Sequence, residues 1–211
     1  MKKKLMTVLA LVLVIAMSVA GTYAYLTSQD TVTNTFTVGD VKIKLDEAKA
    51  NPDGSLVANA DRVKANSYKL LPGHTYNKDP MVTVLKGSES SYVKMTVTFS
   101  NAAELDAIFE PNGANLLSIF NGYDSTNWIY KGNTKNADNT RTYEFWYKDT
   151  VAAPDADVAL DALFDSITVP GGINNDQLAT IKGMTITVNA YAIQADGFAN
   201  ADAAWAAYPA A

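Results

Sequence analysis

Few side chains in this sequence are equipped for chemistry. The chain has one histidine, His74, and no cysteine among its 211 residues. A zinc protease built on one helix needs two histidines a turn apart with a glutamate between them, which a single histidine cannot supply. A Ser-His-Asp device would also have to use His74. That residue follows Pro72-Gly73 in an expected turn, and no Gly-x-Ser-x-Gly elbow occurs anywhere. The lack of cysteine removes thiol catalysis, cysteine-bound zinc, iron–sulfur chemistry and disulfide stapling together. His74 reads as a solvated turn histidine. No catalytic residue, metal ligand or cofactor is assigned, and the chain is expected not to be an enzyme.

Acidic and aromatic groups offer the remaining chemistry. Asp157, Asp161 and Asp165 recur at every fourth position, with Asp155 just before them. On a helix from Asp157 to Phe164 they would share a face and could gather a divalent cation, while a solvated acidic face is the simpler outcome. Asn51-Pro-Asp-Gly-Ser55 and Asn136-Ala-Asp-Asn139 resemble fragments of calcium loops, but neither continues to the acid that closes an EF-hand, so both read as turns. In Tyr143-Glu-Phe-Trp-Tyr147 the tyrosines and Phe145 fall on one strand face and Trp146 on the other. One set belongs to the core; the other can meet a partner or a carbohydrate.

The elements that must position these groups begin with an export signal. Lys2, Lys3 and Lys4 precede an apolar run from Leu5 to Ala20, and Thr22-Tyr23-Ala24 places small residues at the −3 and −1 positions of a signal-peptidase site. Cleavage is expected between Ala24 and Tyr25, with Ser18-Val19-Ala20 a second acceptable site. The apolar run is shorter than the roughly 20 residues that span a bilayer core, so a permanent membrane anchor is not expected. The reading is therefore a signal peptide over residues 1–24 and one domain over 25–211. Removing the leader leaves 14 basic against 22 acidic side chains. That balance repels phosphate backbones, and nucleic acid is not expected as a partner.

Strand patterns dominate the remainder. Val41-Lys-Ile-Lys-Leu45 and Tyr92-Val-Lys-Met-Thr-Val-Thr-Phe99 alternate apolar and polar residues. Residues 31–38 carry Val32, Phe36 and Val38 on one face, with Gly39 as a candidate bulge before the next run. Further strands are expected over 81–85, 128–131, 142–148, 166–169 and 184–194. Asn51-Pro-Asp-Gly54, Pro72-Gly73, Pro111-Asn-Gly113 and Pro170-Gly-Gly172 supply turns between them. Short helices are expected over 102–109 with Asn101 as cap, over 157–164, and around Trp205 with Asn200 or Asp202 as cap. The pattern predicts an all-β fold: a single two-sheet β-sandwich of jelly-roll type with a few short helices in the connections.

The leader junction carries a resemblance. Gly21-Thr-Tyr-Ala24, then Tyr25-Leu-Thr-Ser-Gln-Asp30 and Asn34-Thr-Phe-Thr-Val-Gly-Asp40, resemble the amino-terminal signature of the TasA/camelysin family of exported Gram-positive proteins. Leu71-Pro-Gly-His74 with Lys78-Asp79 is similar to the family's Pro-Gly-Asp turn and following Lys-Asp, with His74 standing where an acid is usual. Ala192-Ile-Gln-Ala195 and the Ala-Ala-Trp205 ending also resemble the family. The resemblance implies cleavage by a dedicated signal peptidase and a secreted jelly-roll subunit of biofilm-matrix fibres. It further implies that the freed amino-terminal strand is donated to the next subunit, with other matrix proteins as candidate partners.

The residues supply an independent physical reason for that mode. A segment over 27–38 bearing Thr27, Val32, Phe36 and Val38 has no proline to interrupt its main-chain donors, so it can pair along an open sheet edge. A head-to-tail contact of this kind does not close on itself and propagates into a filament. The alternative is that the segment pairs within its own subunit. Two other readings stay open on the sequence: a monomeric secreted adhesin or carbohydrate-binding module, and a camelysin-like protease.

Overall fold

The structure is a computed structural model that describes residues 39–109 and 119–209, together with Met6. The chain divides into two compact units, Met1–Val38 and Gly39–Ala211. The rest of the leader, including Ala24, and Tyr25, Thr27, Val32, Phe36, Val38 and the Pro111-Asn-Gly113 turn lie outside the described residues.

The strands of the second unit, in chain order, are β1 Ile43–Asp46, β2 Thr75–Asn77, β3 Met81–Val84, β4 Ser88–Phe99, β5 Phe120–Asn121, β6 Trp128–Lys135, β7 Arg141–Tyr147, β8 Val151–Ala153, β9 Val158–Ala159, β10 Ser166–Thr168 and β11 Ile186–Gln194. Its helices are α1 Ala102–Phe109, α2 Asn175–Thr180 and α3 Ala201–Ala207. The described strands form antiparallel sheets: β1-β3-β9, β2-β10-β5, and a larger sheet ordered β11-β4-β7-β6 with β8 also pairing β4. The fold is mostly β with few helices, as the sequence pattern predicts.

The largest sheet is written in the alternation of its central strand. Val93, Met95, Val97 and Phe99 of β4 are almost wholly buried, while Lys94, Thr96 and Thr98 face the other way. β11 pairs along one side of β4 from Ile186↔Phe99 to Gln194↔Ser91, and β7 pairs along the other from Lys94↔Trp146 to Phe99↔Arg141. Tyr143 and Phe145 of β7 join the buried set, together with Trp128 of β6. Phe120 is the hub of the aromatic core, with ring centroids 4.5 Å from Phe164, 5.6 Å from Phe99 and 5.8 Å from Tyr143. These tilted and edge-on geometries are the ones that ring quadrupoles favour.

Two expectations are corrected. Residues 157–164 are not a helix. β9 pairs with β3 at Thr83↔Ala159 and Val84↔Val158, and the chain stays extended because Leu160 N donates to Val82 O and Leu163 N to Pro80 O. That course buries Leu160, Leu163 and Phe164 in the shared core, which a solvent-facing helix could not do. The Asp157, Asp161 and Asp165 carboxylates consequently share no helix face. The second correction is the cap of α1. Asn101 sits at φ 56° and its amide points away to Thr180 O; the first N–H groups go instead to Asn139, with Ala102 N on its carbonyl at 2.8 Å and Ala103 N on its Oδ1 at 2.9 Å. A cap borrowed from the β6–β7 turn is invisible to local reading. The bulge expected at Gly39 joins it to residues 31–38, which lie outside the described residues; a Cβ at Gly39 would stand 2.8 Å from Glu89 Cγ, on a side chain free to shift. The Asn200 cap of α3 is as expected, with Oδ1 accepting from Ala203 N at 2.9 Å.

Candidate functional site

The core is more deeply buried on one side than on the other. The inward residues of β4 are shielded almost completely, but the inward residues of its neighbour β11, Ile186, Val188, Ala190 and Ala192, pack on the same core and are only half-buried. Ile43 and Leu45 of β1, and Tyr68 and Leu70 of the connection that follows it, are half-buried in the same way. β11 is a terminal strand of its sheet, and along its outer edge it has no strand partner among the described residues. β1 likewise ends its own sheet.

Two connected hollows mark the less buried side. The larger, about 840 Å³, is lined by Tyr68, Leu70, Tyr76, Phe109, Leu178, Met184 and Ile186 among others. A smaller one of about 340 Å³ lies between Leu45, Glu47 and Lys64 on one wall and Ile186, Thr187 and Val188 of β11 on the other. Asn66, Lys78, Ile186 and Thr187 line both, so the two are segments of one groove. A strand edge with no described partner beside a half-buried apolar face offers the two features an incoming strand needs.

A polar clasp builds the wall opposite β11. Arg62 donates from Nε to Asp46 Oδ1 at 2.6 Å and from Nη1 to Asp79 Oδ2 at 2.8 Å, while Nη2 reaches the Asp46 and Asp79 carbonyls. Its planar fork suits two acceptors from separate segments, the end of β1 and the β2–β3 connection, in a way a lysine cannot match. Burial would raise the Asp46 carboxyl, but hydrogen bonds from Lys44 and Arg62 outweigh it and hold that carboxyl below its ordinary value. Asp79 Oδ1 also accepts from Ala48 N at 2.6 Å. Deeper in, Lys78 Nζ lies 2.5 Å from Glu47 Oε2, and both side chains are more than nine-tenths buried. Asn66 donates to Glu47 Oε1 at 3.0 Å and to Ala48 O at 2.8 Å, and Tyr68 Oη donates to Asn77 O at 2.6 Å. Burial, with the Glu47 carboxylate nearby, pushes the Tyr68 phenol well above its ordinary value.

Sequence reasoning singles out Lys78-Asp79 and misses Glu47, Arg62 and Asn66. Lys78 follows β2, and it is its burial, which the sequence does not show, that calls for a carboxylate partner. His74, by contrast, is exposed in the turn before β2, its imidazole 6.4 Å from the Tyr76 ring. Asp157 accepts from Lys86 N and Asp161 from Asn127, so the acidic run serves separate turns. The aromatic strand divides as expected. Tyr143 and Phe145 are core, and Trp146 faces out beneath Lys131, whose Nζ is 4.0 Å from the indole centroid, and beside Trp205 of α3.

Comparison with known proteins bears on residues 1–64, which match the family model described as camelysin metallo-endopeptidase. The amino-terminal part of this chain matches the TasA/camelysin family. The matched stretch spans the leader junction, β1, Glu47 and Arg62. No curated protein and no solved structure matches the chain. The family description points towards a metalloprotease. Among the described residues no three His, Cys, Asp or Glu side chains converge on a point that could hold a metal ion. Nor is any helix among the described residues long and apolar enough to cross a membrane.

Proposed function

We propose that the protein is a secreted, non-enzymatic structural subunit of an extracellular biofilm matrix, with a jelly-roll-type body, that polymerises by strand donation. A dedicated signal peptidase cuts between Ala24 and Tyr25. The freed segment 27–38 then enters the groove between β11 and the β1 side of a neighbouring copy, setting Val32, Phe36 and Val38 against Ile186, Val188 and Leu45. One observation supports the reading: the core-facing residues of β11 and β1 are only half-buried, along an edge that has no described strand partner. Covering such a face releases roughly 25 cal/mol for each Å² of apolar surface removed from water, and the strand also satisfies the edge main chain. Because donor and acceptor are different surfaces, each added subunit presents a fresh acceptor, and growth is linear.

The leader keeps the donor strand joined to a hydrophobic segment until export, which delays assembly. The test is electron microscopy of the processed protein beside a form lacking residues 25–38. The processed protein should form fibres. The shortened form should remain folded and unassembled. Fibres of the same morphology from the shortened form would remove strand donation from the account.

A further inference from the structure

Around Glu47 the clasp has the parts of a one-time reaction that salt bridging does not require. Glu47 holds an amine with one oxygen and a carboxamide with the other: Lys78 Nζ is 2.5 Å from Oε2 and Asn66 Nδ2 is 3.0 Å from Oε1. The carbonyl oxygen of the same amide, Asn66 Oδ1, accepts a hydrogen bond from Ala50 N at 2.9 Å. Nucleophile, proton shuttle, electrophile and a donor for the developing oxyanion are therefore gathered in one place. Lys78 and Glu47 are both buried, and the phenol of Tyr68 borders the group.

We propose that Lys78 and Asn66 form an intramolecular isopeptide bond, with Glu47 as its acid–base catalyst. Glu47 Oε2, at hydrogen-bond distance from Lys78 Nζ, takes a proton from it in the first step and leaves a free amine. Nζ attacks Asn66 Cγ, and the negative charge that builds on Oδ1 is met by the Ala50 N–H. Glu47 returns its proton to Nδ2 and takes one from Nζ. The Cγ–Nδ2 bond then breaks, and the side-chain nitrogen leaves with the extra proton as ammonium. One amide replaces another, Glu47 ends as a carboxylate, and no oxidant, reductant or metal is consumed. The bond would tie the wall of the groove to the end of β2 covalently, in a chain that has no cysteine with which to do so. Its formation does not depend on fibre assembly.

Tryptic peptide mapping of the full processed chain by mass spectrometry is the test. Trypsin does not cut after a lysine whose amine is acylated. Residues 65–69 should therefore appear joined to residues 70–86 as one branched peptide, lighter by one ammonia than the two peptides together. Glu47→Gln keeps the shape and loses the proton shuttle, and Lys78→Arg loses the nucleophile, so the branched peptide should vanish in both. Recovery of separate 65–69 and 70–78 peptides from the wild-type protein would overturn the bond. Persistence of the branch in Glu47→Gln would overturn the role of Glu47. The wild-type map decides even if a variant fails to fold.

Discussion

Two lysines are withdrawn from water in this protein, and they are held by opposite means. Lys78, beside the groove, is matched by the Glu47 carboxylate at 2.5 Å within a network of Arg62, Asp46, Asp79 and Asn66. Lys94, on the outer face of the large sheet, has its Nζ 4.7 Å from the Trp205 ring centroid, 5.5 Å from Tyr191 and 5.8 Å from Tyr208, with Glu144 only at 3.7 Å. A charge–charge pair in a poorly solvated site is strong, directional and open to proton transfer. A cation among aromatic rings is weaker and forgiving of geometry, and it suits a patch that pins the short α3 onto a sheet. Wall and latch use one residue type for two jobs.

The comparison breaks most visibly at Lys78. Lys78→Met should leave Glu47 buried without its partner, remove the proposed bond to Asn66, and cost about 3–5 kcal/mol in urea unfolding. Trp205→Ala comes next. It strips the ring that covers Lys94 and anchors α3, and it should cost about 3 kcal/mol while leaving the Arg62 clasp intact. Lys94→Met removes only the cation from the aromatic side and should cost about 1 kcal/mol. Equal costs at Lys78 and Lys94 would mean the two sites are not energetically different. The smallest effect is in pH. Asp46 is held below its ordinary value in the folded chain, so its contribution is complete above about pH 4 and is lost as pH falls through the lower folded value. Thermal unfolding should therefore lose stability in that acid range, and Asp46→Asn should flatten the dependence.

How legible each region is in the sequence depends on how local its physics is. β4 reads directly because both neighbours pair with it and its alternation is uninterrupted from Tyr92 to Phe99. The half-buried face of β11 is partly legible: Ile186, Val188 and Ala190 show the period, but only the strand order reveals that β11 has no described neighbour on its outer side. The clasp joins residues 46, 47, 62, 66, 78 and 79 across connections that carry no periodic signal. Residues 157–164 mislead because Leu160, Leu163 and Phe164 have helical spacing, yet the edge of β3 and the core offer an extended chain more burial. The helix α2 is marked only by the reciprocal bonds of Asn174 and Gln177, a short capping pair with no apolar stripe behind it to draw the eye.

The central claim is that residues 27–38 complete the β11 side of a neighbouring molecule. A high-resolution helical reconstruction of fibres grown from the processed protein addresses it most directly. The account predicts density for those residues as an added strand beside β11 of the adjacent subunit, with Phe36 and Val38 lodged against Ile186 and Val188. Density showing the segment paired within its own subunit, and a subunit contact built elsewhere, would contradict it.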